Sequence, residues 1–160
     1  MNTILRVVRH GPLVLALLAV LVAFAMTAPA VPANAATTLT VINGNDSGAG
    51  SLRDQIAGAT AGDKIVFDSS VTTILLTSGA LSISKALTIS GPGAGLLTID
   101  GNASSRIFDI SDEAVTIEGL TVTNGSTVTG GGGILSTDAT LTLLDVAVTT
   151  THASYWPTSS

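Results

Sequence analysis

The chain contains no cysteine, and that absence excludes a disulfide framework, cysteine-based zinc sites, thiol catalysis and lipid attachment through a thiol. Aromatic residues make up 3% and charged residues 11%. The charged share is far below the roughly 25% of an ordinary soluble domain. Only 6 Lys and Arg stand against 11 Asp and Glu, with no basic cluster. A net charge of −5 speaks against nucleic acid as a partner, because phosphate binding needs a basic footprint. What is present is Thr, Ser, Ala and Gly among Val, Ile and Leu. With 46% apolar residues, the composition is that of a folded chain rather than a disordered one. At 160 residues it has room for one domain.

The first 35 residues read as an address. Arg6, Arg9 and His10 precede 14 apolar residues, Leu13 to Met26. Pro29 and Pro32 follow, and then Ala33-Asn34-Ala35 supplies a small-x-small site. This order predicts a secretory signal peptide over 1–35, cleaved between Ala35 and Ala36. A membrane span needs roughly 20 apolar residues. The run is shorter, so no membrane span is expected once the leader is removed. The separation of Arg6 from Arg9 argues against a twin-arginine signal. Cleavage would leave Arg53, Lys64, Lys85 and Arg106 against all 11 acids, a difference of −7. An acidic, thiol-free chain suits a secreted or cell-surface setting.

Beyond Ala36 the text divides again. Residues 36–64 read as one strand followed by a short helix. Ser51 is a predicted N-cap with Asp54 three residues on, an acidic form of the capping box. Leu52 and Ile56 share one face, so they are expected against the body, with Arg53 and Asp54 toward solvent. Gly58 and Gly62 limit the helix to two or three turns.

Residues 65–148 carry short apolar–Thr/Ser alternations broken by Gly, Asn and Asp, which predict strands. Residues 115–125 (V-T-I-E-G-L-T-V-T-N-G) and 141–151 (L-T-L-L-D-V-A-V-T-T-T) align at an offset of 26, and Leu87-Thr88-Ile89 lies 28 before the first copy. Self-similarity at that period marks stacked supersecondary units. Each rung would carry one inward apolar pair, a bend at Gly or Asp, and a second inward pair. The expected class is therefore all-β, a right-handed parallel β-helix closed at its N-terminal end by the short helix. A β-sandwich, with strands every 8 to 12 residues, is the alternative.

These residues also carry a resemblance. Asn45 to Ile56 (N-D-S-G-A-G-S-L-R-D-Q-I) and Asp63 to Phe67 (D-K-I-V-F) resemble the opening of bacterial secreted right-handed β-helix repeat proteins, including those similar to polymorphic outer-membrane proteins. Leu87 to Ala94 (L-T-I-S-G-P-G-A), Leu97 to Gly101 (L-T-I-D-G) and Gly130 to Leu135 (G-G-G-G-I-L) continue the likeness. It spans about 43–148 and implies the fold and secretion. Members usually run for many more rungs. Residues 149–160 (T-T-T-H-A-S-Y-W-P-T-S-S) lack Gly corners and apolar alternation, which reads as an irregular tail on a truncated member.

The chemistry is thin. Glycoside hydrolysis needs two carboxyls flanking the bond, one poised as an acid. Asp100, Asp109, Asp112, Glu113, Glu118, Asp138 and Asp145 are the acids of the repeats. Asp112-Glu113 is the one adjacent pair and reads as a solvated turn. Glu118 and Asp145 occupy near-equivalent corners with no base beside them in sequence. They read as structural acids, so no catalytic residue is assigned. Asp100-Gly101-Asn102 offers hard oxygens, yet neither a calcium loop nor a calcium-binding repeat is matched. Gly130 to Gly133 lacks the Gly-Lys-Ser/Thr ending of a phosphate loop. His152, Tyr155 and Trp156 fall in the tail. No metal or cofactor is expected.

The expected function is a non-catalytic surface or secreted scaffold for adhesion or interaction, its ligand a carbohydrate or a protein. The alternative is the N-terminal part of a carbohydrate-active enzyme, a lyase or hydrolase whose catalytic rungs lie elsewhere. The final strand, Leu141 to Val148, has Asp145 as its only charge. That apolar edge predicts self-association.

Overall fold

A computed structural model describes residues 35–153. The chain from Ala35 onward forms a compact unit of its own. The apolar run at Leu13 to Met26, the small residue Ala33, and Tyr155 and Trp156 lie outside the described residues. Ala35 and Ala36 are exposed and carry no regular structure.

The described chain is mostly β, a parallel β-solenoid of about 4 turns with one short helix. It opens with β1 (Thr38–Val41) and α1 (Leu52–Gly58). The first full turn is β2 (Lys64–Phe67), β3 (Thr73–Leu75) and β4 (Leu81–Ile83). The second is β5 (Leu87–Ser90), β6 (Thr98–Asp100) and β7 (Phe108–Ser111). The third is β8 (Ala114–Thr123), β9 (Ser126–Thr127) and β10 (Ile134–Thr137), and the last is β11 (Thr140–Thr149) with β12 (His152–Ala153). Every strand pairing among the described residues is parallel. That rules out the sandwich, whose hairpins would be antiparallel.

Three faces run along the stack. Residues 115–118 of β8 pair with β5, and residues 121–123 pair with β6, so one bent strand serves two faces. β4, β7 and β10 make the third face. The register places like on like. Leu39, Ile65, Ile89, Ile117 and Leu143 form one inward column. Ile74, Ile99, Val122 and Val148 form another, and Leu81, Phe108 and Ile134 a third. The offsets seen in the sequence are this register: Val115 lies on Leu141 and Leu87 on Val115. A strand points alternate side chains to one face, so residues two apart enter the core while Thr and Ser between them face out. Each buried Ile or Leu contributes roughly 1.5–3 kcal/mol, which is why a chain so poor in aromatics holds together.

Corners recur with the same period. Asp112, Asn124 and Asp145 have φ of 64, 52 and 50°, and Gly119 has 64°. Asp138 and Thr150 repeat the Asp112 and Asn124 corners one turn later, with φ of 51 and 50°. Gly, Asn and Asp enter this left-handed region at least cost, so the sequence concentrates them there.

Ser51 caps α1, its Oγ accepting from the Asp54 N–H at 3.2 Å, while the Asp54 carboxylate accepts from the Gly50 N–H at 3.0 Å. Leu52 is fully buried and Ile56 nearly so. Arg53, expected toward solvent, instead turns back over the body. Its guanidinium donates to the Gly79 and Ala80 carbonyls, both at 2.7 Å, and to Asp46 at 2.8 Å. The turn before β4 leaves those carbonyls without ladder partners, and a planar five-donor group can satisfy several acceptors together. Lys85 reaches from the end of the first turn to the helix's last carbonyls, at 2.8 Å from Ala59 O and 3.2 Å from Ala57 O. A cation there complements the negative helix end, which has no basic residue of its own.

Part of the stretch expected as an irregular tail is strand. Thr149 closes β11, and His152 and Ala153 pair with Ser126 and Thr127. Backbone pairing needs no apolar alternation, so composition could not show this strand.

Candidate functional site

The outward side chains are the part of a solenoid available for function. Thr38, Lys64, Thr88, Thr116 and Thr142 lie in one column on the first face. On the second face Thr73, Thr98 and Thr121 make a column that ends at Ala147. Strand pairing sets successive hydroxyls about 4.8 Å apart. In a separate column, Asp100, Thr123 and Thr149 align, and the Thr149 hydroxyl donates to that of Thr123 at 3.1 Å.

Where these faces meet, a corner groove of about 240 Å³ is lined by Ser90, Gly91, Gly93, Glu118, Gly119 and Asp145, with Pro92 and Leu144. Glu118 accepts from Lys64 Nζ at 3.3 Å. Reading the sequence placed no base beside Glu118; the fold supplies one from 54 residues away, because β2 and β8 flank β5 in one sheet. The Ser90 hydroxyl, and then Lys64, hold the Glu118 carboxyl below its ordinary range. The near-equivalent corners expected for Glu118 and Asp145 are one register place apart. Leu144 aligns with Glu118, while Asp145 falls one place on, at the Gly119 corner. Asp145 accepts from the Ala94 N–H at 3.4 Å.

Two of the other repeat acids are engaged by neighbouring groups. Asp100 accepts from the Asn102 N–H at 2.7 Å with one oxygen and from the Asn124 amide at 3.0 Å with the other. Asp109 pairs with Arg106 at 3.0 Å, and Arg106 also donates to the carbonyls of Gly130 and Gly131. The Gly-rich corner is therefore held by an arginine that no sequence motif marked. Asp112, Glu113 and Asp138 are exposed corner residues. Among the described residues no three His, Asp or Glu side chains group closely enough to hold a metal ion. None of the described helices is long and apolar enough to cross a membrane.

Two acids at the N-terminal end were not singled out from the sequence. Asp46 accepts from Arg53, Thr77 and Ser78. Partial desolvation raises its pKa, but the bonds from Arg53 and Ser78, the Arg53 charge and Thr77 outweigh this and hold it at about 2. Asp63 is 2% exposed, one residue before β2. It accepts from the Thr60 N–H at 2.7 Å, the Thr37 N–H at 2.7 Å and the Thr60 hydroxyl at 2.9 Å. The Thr60 and then the Thr37 backbone bonds hold it at about 2 against an ordinary 3.8. Asp63 ties the strand leading into β1 to the turn after α1. A depressed pKa stabilises the fold above the unfolded value, near 4, and that contribution is lost as pH falls through about 2. We expect Asp63→Asn to lower Tm by about 5–10 °C near neutral pH. The gap to the parent should close between about pH 4 and 2. Thermal melts across that range check it; a gap that stays constant at low pH would refute the ionic role.

These lowered pKa values run opposite to what a general acid requires, a carboxyl kept protonated near neutrality. No protein-family model, no curated protein and no solved structure matches the chain.

Proposed function

We propose that the protein is a secreted or cell-surface scaffold, a right-handed β-helix of the bacterial repeat type that its motifs resemble. In this reading it binds a carbohydrate or protein surface without catalysis. The observation that carries this reading is the in-register array of outward Thr hydroxyls on two adjoining faces, edged by the Ser90–Glu118 groove. Hydroxyls on a rigid sheet offer donors and acceptors at fixed spacing, which suits a ligand rich in hydroxyls or amides. The carboxylates beside them are engaged by Lys64, Arg106, Asn124 and backbone amides. That engagement favours presentation of a surface over proton transfer.

Export and binding are tested on the same material. Protein recovered outside the producing cells should begin at Ala36 by mass spectrometry; an intact Met1 there would overturn the leader. The recovered chain should then bind at least one insoluble polysaccharide or protein-coated surface. The triple variant Thr88→Ala, Thr98→Ala, Thr116→Ala should bind about tenfold more weakly with its Tm unchanged. Equal binding by parent and variant, or none by either, would remove the Thr faces as the site.

A further inference from the structure

The two ends of the solenoid differ. At one end α1 packs on β1 and β4 and buries Leu52 and Ile56. At the other, β11 pairs only with β8, and its free edge carries no ladder partner among the described residues. There the inward column positions surface: Leu143 is 42% and Val148 46% exposed, beside Leu144 at 51%. A groove of about 350 Å³ opens into the last turn between Ile134, Leu141, Leu143 and Val148.

We propose that this end is the interface of a two-fold dimer, in which the β11 strands of two copies pair antiparallel across the Asp145 corner. The occupant is a second copy because β11 is self-complementary about that corner. Its inward residues are Leu141 and Leu143 before the bend and Val146 and Val148 after it. They lie symmetrically about the point between Leu144 and Asp145. A two-fold axis that bisects the corner, perpendicular to the stack, sets Leu141 opposite the second copy's Val148 and Leu143 opposite its Val146. Thr140 then opposes Thr149, outward on outward. The same rotation lays the first face of one copy on the second face of the other, so both cores close together. The one charge on the strand does not obstruct this. Asp145 accepts from Ala94, two turns back up the stack, which directs its carboxylate away from the open end. Head-to-tail growth would have to seat β11 on β1, the strand against which α1 packs. An interface of identical ends closes on itself and stops at two.

The test is sedimentation of residues 36–160, the compact unit that holds every described core residue. A dimer should dominate at tens of micromolar and dissociate on dilution, with no larger species. Leu143→Lys and Val148→Lys, both at exposed positions, should each weaken dimerisation more than about tenfold. Their circular dichroism should match the parent, and their Tm should match that of the parent diluted until it is monomeric. The chain lacks cysteine, so Leu144→Cys introduces a single thiol beside the axis, and oxidation should yield a disulfide-linked dimer. Thr40→Cys, at the opposite end, should remain uncoupled. A monomer at every concentration would overturn the proposal and assign the cover of this end to the chain beyond Ala153. Open-ended polymers, equal crosslinking from Thr40→Cys, or lysine variants that dimerise like the parent would overturn it as well.

Discussion

Leu52→Asp should unfold the N-terminal end of the solenoid and lower Tm by more than about 15 °C. Leu52 is fully buried where α1 meets the first strands. Truncating such a side chain costs about 2–5 kcal/mol from lost transfer energy and the cavity it leaves. The carboxylate adds a further cost, because none of the side chains buried there is cationic and an unpaired charge is excluded from an apolar site. Together the terms exceed about 4 kcal/mol, a large part of the roughly 5–15 kcal/mol that holds a domain folded. Repeat folds lose stability wherever an end is uncovered, so the damage should spread from β1 into the first full turn. Leu96→Asp is the control: Leu96 is 62% exposed, and its variant should melt within about 1 °C of the parent. Thermal denaturation followed by circular dichroism compares the two. Equal melting of Leu52→Asp and the parent would mean that α1 does not cover the stack.

Gly91→Val should be as damaging, for a different reason. Gly91 and Gly119 stack at the corner where the first face bends into the second. The Gly91 N–H donates to Glu118 O and the Gly93 N–H to Gly119 O, each at 2.8 Å. A Cβ on Gly91 would run into the Gly119 carbonyl and crowd the Leu120 side chain at 3.1 Å. Backbone cannot give way as a flexible side chain can, so the second and third turns would have to part. The expected loss exceeds about 4 kcal/mol, and the variant should expose apolar surface and fail to accumulate as folded protein. At Gly58, by contrast, an added Cβ meets nothing within 4 Å. Gly58→Ala lies inside α1 and should hold or raise Tm by a few degrees. If Gly91→Val melts like Gly58→Ala, the corner is not close-packed.

Much of this architecture is written in short-range pattern. Alternation two apart named the inward residues, because a strand's geometry leaves them no other face. The 26-residue offset between residues 115–125 and 141–151 is the pairing register, because a stacked turn must place like on like to bury both. Ser51 and Asp54 marked the start of α1, since capping is settled within four residues. Gly, Asn and Asp marked the corners, because a left-handed backbone is costly for other residues. What depends on distant parts of the chain could not be read this way. Lys64 meets Glu118, Arg53 reaches Gly79 and Ala80, and Arg106 holds Gly130 and Gly131, each across more than 20 residues. Asp63 looked like the plain start of a strand until the turn at Thr60 and the strand entry at Thr37 closed around its carboxylate. The sequence by itself determined the strands, their inward faces, the period and the cap. Only the tertiary structure decided which charges pair and that His152 and Ala153 join a ladder, because those outcomes depend on how whole turns rest on one another.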